Sequence, residues 1–388
     1  MISVALRMLT GDRTRYLGLL IGVSFAALMI TQQAGIFLGL AERTYSFISD
    51  TSAPHLWVMD PEVEYIGDVK PVLSMKLYQV RGVDGVDWAV PMYRSWARMR
   101  LPSGEVRMCQ MVGLDDATLT GGPAEMVVGA LDDLHQPDSV IVEENELAGK
   151  FLMKPATPEG PKRPLMVGDT LELNDHRARL VGTYKASPGF FWEPIIYTTY
   201  SRALTYLPQE RRTLTFILVG AKPGEALDRL AARIESSTGL KAYTREQFSR
   251  VTAAYIFEKT GILVNFGLAV ALGFVIGVLI TGQTFYNFTV DNLRHFAALK
   301  AMGASNARVV GMVVAQSLSV GAVGYGIGLG FAAFVGHTFL SRSTLSFTMP
   351  WQLMVFTALA IGVVCVISAV LSVRRVMVVD PAIVFKGA

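Results

Sequence analysis

Thiols and imidazoles are scarce in this chain. Two cysteines, Cys109 and Cys365, stand among 388 residues, which excludes a disulfide framework and a four-thiolate zinc centre. Five histidines are present, and none forms an HExxH pair. The sequence lacks a GxxxxGK[S/T] phosphate loop and a GxSxG nucleophile elbow, so neither ATP binding of that kind nor that acyl chemistry is expected of it. Charge is short as well: 17% of residues are charged, against about 25% in average soluble domains. Hydrophobic residues make up 51%, and the mean hydropathy is +0.39. That composition argues against a wholly soluble protein. The net charge of +3 is too small to mark a nucleic-acid binder.

What the chain does have is long uncharged sequence. Residues 16–41, 260–290, 309–341 and 343–373 contain no Asp, Glu, Lys or Arg. A helix needs about 20 apolar residues to cross ~30 Å of hydrocarbon, so each run is long enough to span once and too short to span twice. The runs predict four transmembrane helices, over 17–40, 262–285, 310–334 and 352–372. The first run exceeds the roughly 7–15 residues of a signal-peptide core and reads as an uncleaved anchor.

Basic residues set the orientation. Arg7, Arg13 and Arg15 precede the first span. Arg294, Lys300 and Arg308 separate the second from the third, and Arg374, Arg375 and Lys386 follow the fourth. Only Arg342 separates the third from the fourth. Four crossings put both termini on one side with nine of these ten residues, which predicts both ends in the cytoplasm. The expected organisation is a cytoplasmic amphipathic segment 1–15, spans 16–41, 260–286, 309–336 and 351–373, and an extracytoplasmic domain 42–259. A cytoplasmic loop 287–308, a short outer loop 337–350 and a cytoplasmic tail 374–388 complete it.

Segment 42–259 holds 25 basic and 29 acidic residues, and the remainder 10 and 3, so the net +3 hides −4 and +7. At 218 residues the segment is large enough for its own core. Its pattern is mixed α/β. Strands are expected at 55–59, 139–142, 170–173, 178–184, 195–197 and 213–220. Residues 86–101 and 106–114 flank the turn Pro102-Ser103-Gly104 and predict a hairpin. Helices are expected at 75–83, near 143–152, and at 224–237 with Leu227, Leu230, Ala231 and Ile234 on one face. Residues 154–164 read as a loop. A helix over 245–259 runs towards the second span, either as a rigid continuation into the membrane or as an ordinary linker. Cys109 and Cys365 fall in different regions, so no intramolecular disulfide is expected. Glu143-Glu144 and Asp132-Asp133 read as a solvated face rather than a catalytic pair.

Polar residues inside the spans need partners or water. Thr31, Gln32 and Gln33 either line a substrate path or dimer seam, or bond to a neighbouring helix. Asn265 and Gln316 pose the same choice. The run Gly321-Ala-Val-Gly324-Tyr-Gly326-Ile-Gly328-Leu-Gly330 has no preceding strand and is not read as a nucleotide loop. Its GxxxG pairs 324/328 and 326/330, with Gly273 and Gly277 in the second span, suit close helix packing. The spans contain no Asp, Glu, Lys or Arg, and the one histidine near them, His337, stands at a boundary, so catalysis by this chain is not expected.

Two motifs complete the pattern: Phe296-Ala-Ala-Leu-Lys-Ala-Met-Gly-Ala-Ser305 between the second and third spans, and Arg374-Arg375-Val-Met-Val-Val-Asp380-Pro381-Ala382-Ile-Val-Phe385-Lys386 at the C-terminus. With one span, a large outer domain and three further spans, they resemble the MacB/FtsX-like permeases of ABC transporters. The first is similar to that family's LKAxGAS segment and the second to its RR…DPAxxF ending. The stretches Gly189-Phe-Phe-Trp192, 195–200 and 211–215 resemble the DevC-type subgroup. The chain departs from its relatives at Arg294-His295, where an acidic residue often stands.

The resemblance implies a MacB-like integral membrane α-helical fold with an α/β extracytoplasmic domain. It implies a non-catalytic subunit without cofactor or metal, ATP and Mg being bound by a separate cytoplasmic ABC ATPase. A second permease copy, a membrane-fusion adaptor protein and an outer-membrane channel would be partners, in a bacterial inner membrane. The cargo implied is a lipid, glycolipid or other amphiphile. Two other roles suit the same fold: an FtsX-like signalling subunit that regulates an envelope hydrolase, and a heme or peptide efflux permease. By resemblance, Ala298, Leu299, Lys300, Ala301, Met302, Gly303, Ala304 and Ser305 form the ATPase-coupling segment. Leu299 and Met302, three apart, are expected on one face, with Lys300 pointing elsewhere and Gly303 ending the helix. Arg374 and Arg375 would reach lipid phosphate or the ATPase, and Asp380-Pro381 would cap a terminal helix.

Overall fold

Two compact units make up the chain: Met1–Leu40 with Thr260–Ala388, and Ala41–Lys259. The structure, a computed structural model, describes residues 7–9, 11, 13–51, 53–147, 149–153, 163–190, 194–207, 213–338 and 346–377, the last four of these by backbone alone.

The first long helix, α1 (Arg13–Thr44), carries the first uncharged run and extends past it at both ends, because basic residues are good helix formers. The α/β unit then runs α2 (Ser46–Asp50), β1 (Leu56–Met59), α3 (Ser74–Arg81), β2 (Val86–Arg100), β3 (Val106–Leu114), β4 (Glu125–Val128) and β5 (Ser139–Glu143). There follow α4 (Glu144–Leu147), β6 (Thr170–Leu173), β7 (His176–Lys185), β8 (Ile195–Thr199), α5 (Tyr200–Thr205), β9 (Phe216–Ala221), α6 (Leu227–Thr238), β10 (Lys241–Thr244) and α7 (Arg245–Thr260).

The strands form one mixed sheet in the order β10-β1-β9-β2-β3-β8-β5-β7-β4, with β6 against β2 and β7. The fifteen-residue β2 joins its two halves. Up to Met92 it pairs with β9, and from Tyr93 it pairs with β3, both antiparallel. Where the partner changes, the Thr215 hydroxyl accepts from Arg94 N–H and donates to Met92 O, each at 2.9 Å. Beyond that point side chains alternate: Ala97 and Met99 are buried, while Trp96, Arg98 and Arg100 are exposed. That is the period-2 signature of a strand with one covered face.

Each half has its own core. Helix α6 lays Leu230, Ala231 and Ile234 on Leu56, Val58, Ile217 and Val219, and ends at Gly239 in the left-handed conformation (φ 70°). Met99, Cys109, Met111, Val140, Phe151 and Leu180 fill the other half. A third cluster centres on Trp57, whose ring meets Phe216 edge-on at 5.7 Å and Phe248 at 5.8 Å. Each fully buried phenylalanine of this cluster stabilises by roughly 1.5–3 kcal/mol.

The helix expected near 143–152 is the single turn α4. Strands β4 and β10 and helices α2 and α5 had no clear sequence signal. Most of the expected loop 154–164 lies outside the described residues. Helix α7 does not continue into the next helix, because Gly261 intervenes with φ 67°.

The remaining unit contains α8 (Ile262–Asp291), α9 (Leu293–Ala301), α10 (Asn306–Thr338) and α11 (Trp351–Met377). Helices α1, α8, α10 and α11 are each long and apolar enough to cross a membrane. Glycines bring α1 close to α8 and α10. A Cβ added to Gly277 would lie 2.6 Å from Ala26 Cβ, one on Gly324 2.8 Å from Val23 Cβ, and one on Gly273 3.3 Å from Met29 Cβ. At Gly328 it would strike the Ser24 carbonyl oxygen. Gly326 and Gly330 differ: among the described residues nothing lies within 4 Å of such an atom. The expected 326/330 packing pair therefore faces open space, since two residues along a helix turn the chain by about 200°. Helix α11 joins its neighbours through polar contacts, Ser317 Oγ donating to Cys365 O at 2.8 Å and Ser368 Oγ to Val278 O at 3.4 Å. Both cysteines are buried, and neither forms a disulfide.

Candidate functional site

The segment between α8 and α10 is a helix with defined ends. Asn292 closes α8, its N–H and Nδ2 donating to Phe288 O at 3.1 and 2.9 Å. Its own carbonyl then accepts from His295 and Phe296, which starts α9. Phe296 and Ala297 are the buried residues of α9. Phe296 packs on Val309 and Val313 of α10 and on Ala369 and Val373 of α11. The segment is thus pinned by one aromatic side chain.

Its far end is closed by Gly303 at φ 91°. Gly303 N–H donates to Lys300 O and Ala304 N–H to Leu299 O, both at 3.0 Å. This pair of bonds is a Schellman motif, which needs a left-handed residue after the C-cap and so favours glycine. Met302 is that C-cap, its N–H bonded to Ala298 O at 3.0 Å, and Ala301 is the last helical residue. Ser305 caps α10, its Oγ and carbonyl accepting from Arg308 N–H at 3.4 and 3.0 Å.

Exposure is uneven along the motif. Met302 is 75% exposed, whereas Ala298, Leu299 and Lys300 are half-buried. The shared Leu299/Met302 face is therefore one protruding methionine, because Met302 already lies outside the helix proper. Asp291, at the end of α8, pairs with Arg15 near the start of α1 at 2.9 Å. Both side chains are more than a third exposed, so the pair is worth about 0–1 kcal/mol.

The other sequence candidates lie apart from this segment. Arg374 and Arg375 belong to the last turn of α11, described by backbone alone, and Asp380 and Pro381 lie outside the described residues. So do Phe191, Trp192, Arg211 and Arg212. Thr31 is buried and bonds across to Thr357, Oγ1 to Oγ1, at 3.2 Å. Gln32 and Gln33 are half-buried, Gln316 is fully buried, and Asn265 is exposed.

In the α/β unit the sequence reading passed over Arg94 and took Glu143 for a solvated residue. Arg94 is 5% exposed, and burial pulls its pKa down to about 10. Nε and Nη2 donate to Gln110 Oε1, and Nη1 donates to Ile66 O at 2.9 Å. The Phe47 ring lies 4.4 Å from the guanidinium carbon. Glu143, read as solvated, is partly buried, which raises its pKa to about 7; Asn145 Nδ2 donates to it at 3.4 Å and opposes the rise. Among the described residues no group of three or more His, Cys, Asp or Glu could hold a metal ion.

Comparison with known proteins gives two family matches. Residues 16–237 match the MacB-like periplasmic core domain, and residues 267–381 match the FtsX-like permease C-terminal domain. An uncharacterised ABC transporter permease of Methanocaldococcus jannaschii is 22% identical over 236 residues, 58% of this chain and 59% of that protein, so the match spans little more than half of the relative. Among solved structures, the extracellular domain of the noncanonical ABC-type transporter YknZ from Gram-positive bacteria overlaps 49% of this chain and 99% of its own, with TM-score 0.35 and 13% identity. The periplasmic region of MacB from Actinobacillus actinomycetemcomitans overlaps 53% and 96%, with TM-score 0.38 and 12% identity. The core-domain match alone covers more than half of the chain, and the second match holds the α8–α11 region: the chain belongs to the MacB/FtsX-like family of ABC transporter permeases.

Proposed function

We propose that this protein is the non-catalytic membrane subunit of an ABC export system, with ATP and Mg bound by a separate cytoplasmic ATPase. The supporting observation is the setting of segment Ala298–Ser305: it ends the short helix α9, which is pinned by Phe296 and closed by a glycine cap, and presents Met302 between two membrane-length helices. A contact element has to be rigid to pass on displacement, and this one is fixed at both ends. In this reading Met302 and its neighbours seat against the ATPase, and Arg374, Arg375, Asp380 and Pro381 add a second contact. Both termini lie in the cytoplasm, and the α/β unit lies outside the inner membrane. Two copies pair, and an adaptor protein and an outer-membrane channel complete the route. The cargo is a lipid, glycolipid or other amphiphile, handled on the outer side.

Copurification tests this. The chain is coexpressed with the ATPase encoded beside it, extracted in mild detergent, and assayed for stoichiometry and ATP turnover. A stable complex is expected, with attachment lost in Met302→Asp while membrane insertion is kept. No complex, under conditions where a known family pair assembles, overturns the reading.

A further inference from the structure

Arg94 stands at the wall of a small cavity in the α/β unit, and we propose that this cavity receives the oxyanion of an amphiphile's headgroup, a carboxylate or phosphoryl group. The proposal deepens the export reading and rests on it for the identity of the cargo. The cavity measures ≈ 40 Å³, and Arg43, Phe47, Gln110, Ser187 and Tyr197 line it with Arg94. A water needs about 10–15 Å³ by this measure, so the space holds a few waters or one oxyanion, not a whole lipid.

The charge inventory favours an anion. A guanidinium has five N–H bonds, and Arg94 spends three, all on neutral acceptors. Two remain. Among the described residues no carboxylate oxygen lies within 4.0 Å of it. A buried cation without a counter-ion is costly, and the Phe47 ring offsets only part of that. The same strand shows the alternative: Arg98 and Arg100 are exposed and pair with Asp175 and Glu172 at 2.9 and 3.2 Å. The one arginine of β2 that is buried is the one without a carboxylate. A planar fork with free donors is the geometry that holds carboxylate or phosphate.

The cavity's own carboxylate does not answer Arg94. Asp50 lines the cavity, but its Oδ2 accepts from Ser187 N–H at 2.8 Å and its Oδ1 from Ser187 Oγ at 3.0 Å. Arg43 brings a second positive charge, so the lining is net cationic.

Calorimetry on the full chain in an alkyl maltoside tests this without any ATPase, so its failure is separate from failure of the copurification assay. The probes are inorganic phosphate, a short-chain phosphatidylglycerol, and a short-chain diacylglycerol as a control without the anion. Phosphatidylglycerol is expected to bind and the diacylglycerol not to bind. Arg94→Met should weaken binding roughly tenfold or more, the loss of one charge-assisted pair. Arg94→Lys keeps the charge without the fork and should fall between, which also serves if Arg94→Met does not fold. Binding of phosphate as tight as the lipid assigns the same site to a free anion. Absence of binding by both anionic probes to the wild type, or equal binding by a folded Arg94→Met, overturns the proposal.

Discussion

A methyl group added at Gly328 would lie 2.7 Å from Ala27 Cβ and against the Ser24 carbonyl, whereas one at Gly326 meets nothing within 4 Å. Gly328→Ala should therefore destabilise the detergent-solubilised chain by ~1–3 kcal/mol through overpacking. Gly326→Ala should stabilise it by ~0.4–1 kcal/mol through helix propensity. Equal shifts in melting temperature would refute the packing account. Glu143 supplies a prediction about pH. Its folded pKa, about 7, is above the ordinary carboxylate value, so the folded state holds the proton more tightly. Stability from this group is present below the unfolded value near 4.5 and is lost as pH rises through about 7. Glu143→Gln should melt above wild type at pH 8, and the gap should narrow by pH 5; a constant gap would mean that the carboxyl does not titrate there. Arg94 illustrates what sequence could not reveal. In Tyr93-Arg94-Ser95-Trp96-Ala97-Arg98-Met99-Arg100 three arginines share one strand parity, and nothing local separates them. Only the approach of Ile66 and Phe47, far away in sequence, buries the first.

Among the elements, the long helices were legible because their signal is internal: an uncharged run specifies a helix without reference to its neighbours. The β2–β3 hairpin was legible for a similar reason, with strand alternation on either side of a Pro-Ser-Gly turn. The change of partner along β2 was not, since it depends on β9, more than a hundred residues away. Strands β4 and β10 have four residues each, too few for a period to declare itself. For the candidate site, the glycine stop could be read at Gly303, but the anchoring role of Phe296 required α10 and α11. Two substitutions probe these junctions. Thr215→Val removes the hydroxyl that serves Arg94 N–H and Met92 O, and should cost ~1–3 kcal/mol in thermal stability. Phe296→Ala leaves Met302 exposed but unpins α9. It should lower ATPase attachment in the copurification assay despite an unchanged contact residue; full attachment would show that the anchor is dispensable.

The molecule as a whole carries its charge asymmetrically, net −4 over 42–259 and +7 elsewhere, and nine of the ten basic residues outside 42–259 fall on the side proposed as cytoplasmic. Because Cys109 and Cys365 are both fully buried, single cysteines can be introduced against a quiet background. Ser103→Cys, on the exposed hairpin turn, should react with an impermeant maleimide in spheroplasts; Met302→Cys should react only after lysis. The opposite pattern would invert the topology. The sheet has one further consequence, concerning tensile load. Strand β2 is antiparallel to β9 over its first half and to β3 over its second, so pulling the two halves apart along the strand loads each hydrogen-bonded ladder in shear. Bonds loaded in shear yield together, whereas bonds that are peeled break one at a time. The covalent backbone between Met92 and Tyr93 bears the tension between them. The yielding elements lie elsewhere: among the described residues β5 and β8 are joined by two residue pairs, Ile141 with Tyr197 and Val142 with Ile196, and β2 and β6 by two more, Met99 with Leu173 and Arg100 with Glu172, and under strain those short seams should part first.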